Sequence, residues 1–306
     1  MQAARSGRKV ALIERENVVG GTCVNWGTIP SKTLRESAVF VRGLTTRKIE
    51  GIRCEIAGKI TMPDFMHRER MVVQRELELI NHTLEKFAIE IIEGHGRFID
   101  ANTVSVTGKD GRERLRLHGD VIVIATGSSP NHPADIDFNE GTVLDSNTIL
   151  RLERMPESII LLGAGVIGVE YASIFAALGV RVTLVDTRQR LLPYLDREIA
   201  GLLKHNLNKL GIVLIQQDSY QKIEVKRAEP PMVRCQTASG NVLESDVLLY
   251  CVGRDGNTRD LGLENIGLCP NKRGLLEVNE FYQTRYPHIY TVDDVIGYPA
   301  LASTSA

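Results

Sequence analysis

Residues 159–170 read Ile-Ile-Leu-Leu-Gly-Ala-Gly-Val-Ile-Gly-Val-Glu, and few segments leave a chain so little choice of fold. Four apolar residues without a polar break specify a buried strand. Gly163, Gly165 and Gly168 then fall where a tight turn runs into a helix, Val166–Leu178. The next apolar run, Val180–Val185, ends on Asp186, 18 residues past Gly168. Strand, glycine loop, helix and acid-ended strand together form the fingerprint of a dinucleotide-binding unit. Gly163 permits the turn, Gly165 lets the backbone approach a pyrophosphate, and Gly168 lets the helix lie close on the strand. At the helix N-terminus, around Val166 and Ile167, unpaired N–H groups and the positive dipole end suit phosphates. Asp186 is placed to accept from ribose hydroxyls. Arg188 and Arg190 follow it; a carboxylate prefers a free 2′-hydroxyl, whereas a guanidinium holds a 2′-phosphate. Tolerance of both NAD and NADP is one reading, and two plain surface arginines the other.

The chain repeats itself. Gly7–Glu14 (Gly-Arg-Lys-Val-Ala-Leu-Ile-Glu) aligns without a gap on Gly179–Asp186 (Gly-Val-Arg-Val-Thr-Leu-Val-Asp), at an offset of 172 residues. Each is a helix-ending glycine, a buried strand and a terminal acid. Glu14 is thus expected to be a second ribose acid, whose glycine loop would fall before Met1. The expectation is a truncated first unit followed by a complete second one, and so two dinucleotides, one of them permanently bound.

The remaining pattern is that of an α/β protein. A helix is predicted from Pro30 through Phe40, proline suiting a first helical turn. Residues 63–87 predict a long amphipathic helix. Short strands are expected at 89–93, 96–99, 103–107, 115–118 and Val121–Ala125, and a helix at Asp196–Leu210, with a break at Pro230-Pro231. At 306 residues, 43% hydrophobic and 25% charged, two globular domains are expected. A formal net charge of −1 argues against nucleic acid or an anionic membrane as the main partner. No apolar run approaches the roughly 20 residues that span a bilayer. Five scattered cysteines form neither a disulfide framework nor a metal pattern, and a cytoplasmic location is the default.

Residues 20–32, Gly-Gly-Thr-Cys-Val-Asn-Trp-Gly-Thr-Ile-Pro-Ser-Lys, resemble the redox segment of the flavoprotein disulfide reductases. In that family two cysteines five positions apart sit against FAD and form the active disulfide. Here Cys23 holds the first position and Thr28 the second. A hydroxyl can neither form a disulfide nor accept electrons. Without a dithiol relay, hydride can still pass between nicotinamides. Trp26–Lys32 with Thr33-Leu34-Arg35-Glu36, and Val185–Leu192, are similar to the soluble pyridine nucleotide transhydrogenase branch of the family.

That resemblance implies roles for further residues. Gly20, Gly21, Thr22 and Cys23 would line the flavin. Lys32 would lie near the ring's hydride-accepting nitrogen with Glu170 as its ion-pair partner; an ordinary surface pair is the alternative. Thr126-Gly127 matches the turn closing the first flavin segment, and Gly253-Arg254 the turn returning to it. Asp294, in Ile289–Gly297, matches the residue that binds the ribityl chain. Asp293 departs from the pattern, occupying a glycine position and adding bulk and negative charge beside a ribityl–pyrophosphate. Cys54, Cys235, Cys251 and Cys269 match nothing catalytic and are expected to be small, mostly buried residues.

The implied architecture is two Rossmann-like domains, an incomplete FAD-binding domain at 1–148 plus 258–306 and an NAD(P)-binding domain at 149–257. A C-terminal dimerisation domain would follow Ala306, making the full-length form a homo-oligomer. The implied activity is FAD-dependent hydride transfer between NADPH and NAD+, with NAD(H) and NADP(H) as substrates. A lipoamide-dehydrogenase-like reductase and a catalytically inactive nucleotide-binding remnant are the alternatives.

Overall fold

The computed structural model describes residues 1–46, 51, 58–139, 141–226, 229 and 231–297. Cys54, Pro230 and the motif stretch beyond Gly297 lie outside the described residues. The chain forms two compact units, one of Trp26–Val72 and Pro130–Gly253, the other of Met1–Asn25, Val73–Ser129 and Arg254–Ala306.

The unit holding the fingerprint is built on a five-stranded, wholly parallel sheet. Its order is Val213–Gln216, Arg181–Asp186, Ser158–Leu162, Val247–Tyr250, Val143–Asp145. Because side chains alternate along a strand, the unbroken run Ile159–Leu162 feeds both faces at once. Ile159 and Leu161 join Leu184 and Leu249 in one core, while Ile160 and Leu162 join Val185 and Leu248 in another. Helices cover the first face through Ile174, Phe175 and Leu207. The second is covered by an antiparallel sheet of Tyr220–Lys226, Met232–Thr237 and Val242–Ser245, which contributes Val233 and Cys235. The helix Val166–Ala177 is apolar nearly all round, and such a helix must be covered on more than one side. The second cover is the helix Thr28–Thr46, whose Leu34 and Ala38 enter the same core.

That packing places Trp26–Val72 in this compact unit. The helix Thr28–Thr46 is longer than the predicted 30–40 and starts earlier, since the carbonyl of Gly27 already accepts the Ser31 N–H (3.0 Å). Arg197–Lys209 is helical as expected, its N-terminus capped by the Asp196 carboxylate at the N–H groups of Glu198 (2.8 Å) and Ile199 (3.4 Å).

In the other unit Ala11–Glu14 pairs in parallel with Glu90–Glu93, and Ile122–Ile124 with Ile289–Thr291. An antiparallel sheet of His95–Phe98, Thr103–Thr107 and Glu113–His118 flanks them. Phe98, Ile124, Leu263, Ile289 and Val295 form its main core. Val19, Leu84 and Ile89 form a smaller one beneath the C-terminal half of the helix Met62–Lys86. The short helix Gly21–Asn25 is pinned by the Asn25 amide, which donates to the carbonyls of Val19 (2.9 Å) and Gly21 (3.0 Å). No helix among the described residues is long and apolar enough to cross a membrane.

Candidate functional site

The glycine loop is held from below. Gly163 donates its N–H to the Val185 carbonyl (2.8 Å) and adopts φ +98°. A side chain at Gly163 would strike the Cys251 carbonyl oxygen (2.9 Å), and one at Gly168 would lie 1.9 Å from the Gly163 carbonyl oxygen. These two glycines therefore bring the helix down onto the strand. Gly165 differs: nothing lies within 4 Å of its missing Cβ. Its open side is where a ligand can approach the backbone. Gly165 caps Val166–Ala177 with no side-chain bond, so the first N–H groups of the helix, at Val166 and Ile167, point to that space without an intrahelical partner.

Asp186 ends its strand at this loop, and its side chain is only 4% exposed. It is fully engaged. Oδ1 accepts from the Arg188 backbone N–H (2.8 Å) and Nε (2.9 Å), and Oδ2 from the Ala164 N–H (2.8 Å) and Arg188 Nη2 (2.6 Å). Burial alone would raise the carboxyl pKa, but the Arg188 and Ala164 bonds outweigh it and hold it below the ordinary value. The carboxylate expected to accept from ribose is here bonded to the neighbouring guanidinium and to the glycine loop. Arg190 instead donates to the Pro193 carbonyl.

Just beyond lies a cavity of about 370 Å³ lined by Thr187, Gln217, Asp218, Ser219, Ala238 and Ser239. Asp218 accepts from Ser239 Oγ (2.5 Å) and from the N–H groups of Ser219 (2.9 Å) and Ser239 (3.1 Å). Burial opposes ionisation there too, yet these donors bring the carboxyl down to about 2. Sequence reading missed Asp218; an acid two residues past the end of an edge strand carries no motif.

Lys32 and Glu170, 138 residues apart, meet as expected. Lys32 Nζ lies 2.7 Å from Glu170 Oε1, and the buried Ser31 hydroxyl donates to Glu170 Oε2 (3.1 Å). The carboxylate is 15% exposed and the lysine 56%, so the acid is fixed and the ammonium presented outward. Ser31 was not anticipated, since only the packing of Thr28–Thr46 on Val166–Ala177 brings it there.

In the other unit, Glu14 ends its strand with Oε1 accepting the Glu16 N–H (3.0 Å). It borders a cavity of about 290 Å³ whose walls set Val18, Leu77 and Ile91 beside two further carboxylates, Glu16 and Glu93. Gly20 precedes the Gly21–Asn25 helix, which carries Thr22 and the half-buried Cys23. Thr126 and Gly127 form a turn whose carbonyls accept from Asn257 Nδ2 (2.8 Å) and the Asn257 N–H (3.0 Å). Gly253, in the fingerprint unit, accepts the Asn131 N–H (3.2 Å). Asp294 Oδ2 accepts from Ser128 Oγ (2.7 Å), which accepts from Arg254 Nε (2.8 Å); Arg254 Nη2 also donates to the Ser128 carbonyl (2.6 Å). Asp294 Oδ1 accepts no side-chain bond among the described residues, and is available to a hydroxyl. Asp293 adopts φ +70°, the left-handed region that glycine tolerates. Its carboxylate overhangs Gly127.

Cys23, Cys235, Cys251 and Cys269 are all thiols. Burial raises the Cys235 pKa to about 11 and that of Cys251 further still. Cys269 is exposed, against the expectation of a buried residue, because its segment leaves the core after Leu268.

A strand–glycine loop–helix unit and a second unit ending its own strand in an acid define an α/β protein of the dinucleotide-binding class. The chain belongs to the pyridine nucleotide-disulphide oxidoreductase family, whose profile matches residues 1–306. It is 41% identical over 303 residues to a soluble pyridine nucleotide transhydrogenase of Mycobacterium tuberculosis, covering 99% of this chain and 64% of that protein. The corresponding Chromohalobacter salexigens protein is 42% identical over 306 residues, with 100% and 65% covered. Among solved structures it is similar to the HOCl-induced flavoprotein disulfide reductase RclA from Escherichia coli. That match has a TM-score of 0.84 and 30% identity, covering 99% of this chain and 64% of the other. It is similar also to LpdA from M. tuberculosis, at a TM-score of 0.90 and 26% identity over 99% and 66%. The chain thus spans about 64% of the length of the curated relatives it matches.

Family membership implies FAD and a nicotinamide dinucleotide. The residues present fit a flavin nucleotide at two points, the acid-ended strand bordering a cavity at Glu14 and the open oxygen of Asp294. The negative charges of Asp293 and of Glu16 and Glu93 at the cavity are the misfit.

Proposed function

We propose that this chain performs FAD-dependent hydride exchange between NADPH and NAD+, as a member of the branch that has lost disulfide chemistry. The observation that carries the proposal is Thr28, the first residue of a helix, five positions after Cys23. A family member using a dithiol relay would need sulfur there.

When bound, the flavin supplies a carrier for two electrons and a proton, which no side chain of this protein can provide. Glu14 would hold its adenosine ribose, Gly20 through Cys23 and Thr126-Gly127 its backbone-facing side, and Asp294 its ribityl hydroxyls. Lys32 supplies positive charge where negative charge develops during transfer, and is most effective if already aimed. Glu170 does the aiming, itself held by Ser31. The loop Gly163–Gly168 receives the pyrophosphate of one nicotinamide dinucleotide, releases it, and receives the other. Use of one loop in alternation gives ping-pong kinetics. The same reading takes residues 1–148 plus 258–306 as the flavin domain and 149–257 as the nicotinamide domain. It places a homo-oligomeric full-length enzyme in the cytoplasm, with nicotinamide dinucleotides as its partners and neither nucleic acid nor membrane.

The test is to purify the protein with excess FAD and supply NADPH with either an NAD+ analogue or lipoamide. Turnover of the analogue alone supports the proposal; turnover of lipoamide overturns it. A colourless protein that still binds NADP+ would favour a nucleotide-binding remnant, the reading toward which Asp293 points.

A further inference from the structure

We propose that Arg188, locked by Asp186, reads the 2′-position of the dinucleotide, so that the site prefers a 2′-phosphorylated adenine dinucleotide to its unphosphorylated counterpart. Asp186 is then a positioning residue and not a ribose acceptor. This inference rests on the reading of Gly163–Gly168 as a dinucleotide site and adds its selectivity.

A carboxylate has about four lone-pair directions. At Asp186 four donors fill them: the N–H groups of Ala164 and Arg188, and Nε and Nη2 of the Arg188 side chain. A ribose hydroxyl could gain this acid only by displacing a charge-assisted pair from a side chain 4% exposed. The guanidinium stands differently. Of its five N–H groups, two are bound to Asp186, leaving three on a side chain 40% exposed. Held from one edge by a buried carboxylate, the fork has lost most of its rotamer freedom before any ligand arrives. A planar, preorganised guanidinium suits a phosphate, which accepts two parallel bonds from it.

The surroundings support an adenosine there. Thr187, between the acid and the arginine, lines the cavity of about 370 Å³, whose own acid, Asp218, is occupied by Ser219 and Ser239. Neither Asp186 nor Asp218 is therefore open to a 2′-hydroxyl, and the Arg188 guanidinium beside the cavity wall is clamped in place. NAD(H) would enter through the shared loop contacts alone and be held more weakly.

The experiment is calorimetric titration of the whole chain with 2′,5′-ADP and with 5′-AMP, which differ by the 2′-phosphate. The wild type is expected to bind 2′,5′-ADP at least about tenfold more tightly, the scale of a hydrogen bond to a charged group. Arg188→Ala should erase that preference and Arg188→Lys restore part of it. Asp186→Asn should reduce the preference although the arginine is intact, with the loss falling on 2′,5′-ADP. If Asp186 instead accepts from ribose, Asp186→Asn will weaken 5′-AMP and increase the preference, which overturns the inference. Equal binding of both probes by the wild type overturns it too. Should Asp186→Asn not fold, the two Arg188 variants decide the matter, because that side chain is only partly buried. Failure of the wild type to bind either probe would reject the dinucleotide site itself, a separate result.

Discussion

Asp293→Gly tests how far a single departure from the family pattern shapes this protein. A side chain in the left-handed region costs about 1–2 kcal/mol, and aspartate sits toward the lower end of that range. Asp293, at φ +70°, carries that strain now. Glycine would relieve it but loses more backbone freedom on folding, about 0.5–1 kcal/mol. These two backbone terms nearly cancel, so any loss of stability beyond about 1 kcal/mol, or about 4 °C in Tm, reads the contacts of the carboxylate itself. Charge is the larger effect. If FAD binds as the family pattern implies, with its pyrophosphate within a Debye length of Asp293, removing the carboxylate is worth on the order of 1 kcal/mol, about a fivefold to tenfold gain in FAD affinity. Thermal melting and fluorescence titration with FAD measure the two separately. Asp293→Asn divides strain from charge: it keeps the conformational tolerance and should capture most of the affinity gain with Tm unmoved. A loss of more than about 2 kcal/mol in Asp293→Gly, or weaker FAD binding in either variant, would refute this reasoning and make the carboxylate a favourable contact.

Gly168→Ala places a methyl group 1.9 Å from the Gly163 carbonyl oxygen, so the helix must lift from the strand. Stability should fall by about 1–3 kcal/mol in a melt, and NADP+ binding should be lost by calorimetry. Glu170→Gln frees Lys32, which is half exposed; the stability cost should stay under about 1 kcal/mol. The hydride-exchange rate should nevertheless drop about tenfold to a hundredfold with KM for NADPH nearly constant, read by stopped-flow and steady-state kinetics. The Asp218 pKa is depressed on folding to about 2, so its contribution to stability is complete above the unfolded value near 4 and is lost as pH falls through the folded one. Asp218→Asn should therefore flatten the acid limb of a stability–pH profile below about pH 4, and a steeper limb would count against the assignment.

The parts of this fold that were legible in the sequence are those where backbone geometry leaves one residue type a place. Gly163 and Gly168 are required by collisions with carbonyl oxygens, and Ile159–Leu162 must be apolar because both faces of their strand are covered. Asp293 was legible for the converse reason: a non-glycine at a glycine position takes up the left-handed φ that the position demands. The membership of Trp26–Val72 was not legible, since it depends on Leu34 and Ala38 finding a partner helix far along the chain. Ser31, Ser128 and Asp218 act through single hydrogen bonds whose partners no local pattern specifies. The engagement of Asp186 by Arg188 was hidden for another reason. Acid and arginine were both visible, but spacing does not reveal whether the two bind a ligand or each other.

The absence of a working dithiol is most directly tested by alkylating the FAD-loaded protein before and after anaerobic NADPH, and locating the labelled cysteines by mass spectrometry. With Thr28 in the second position, Cys23 should take the same amount of label in both states. New label at Cys23 together with a second cysteine, appearing only after NADPH, would reveal a reducible bridge and contradict the account.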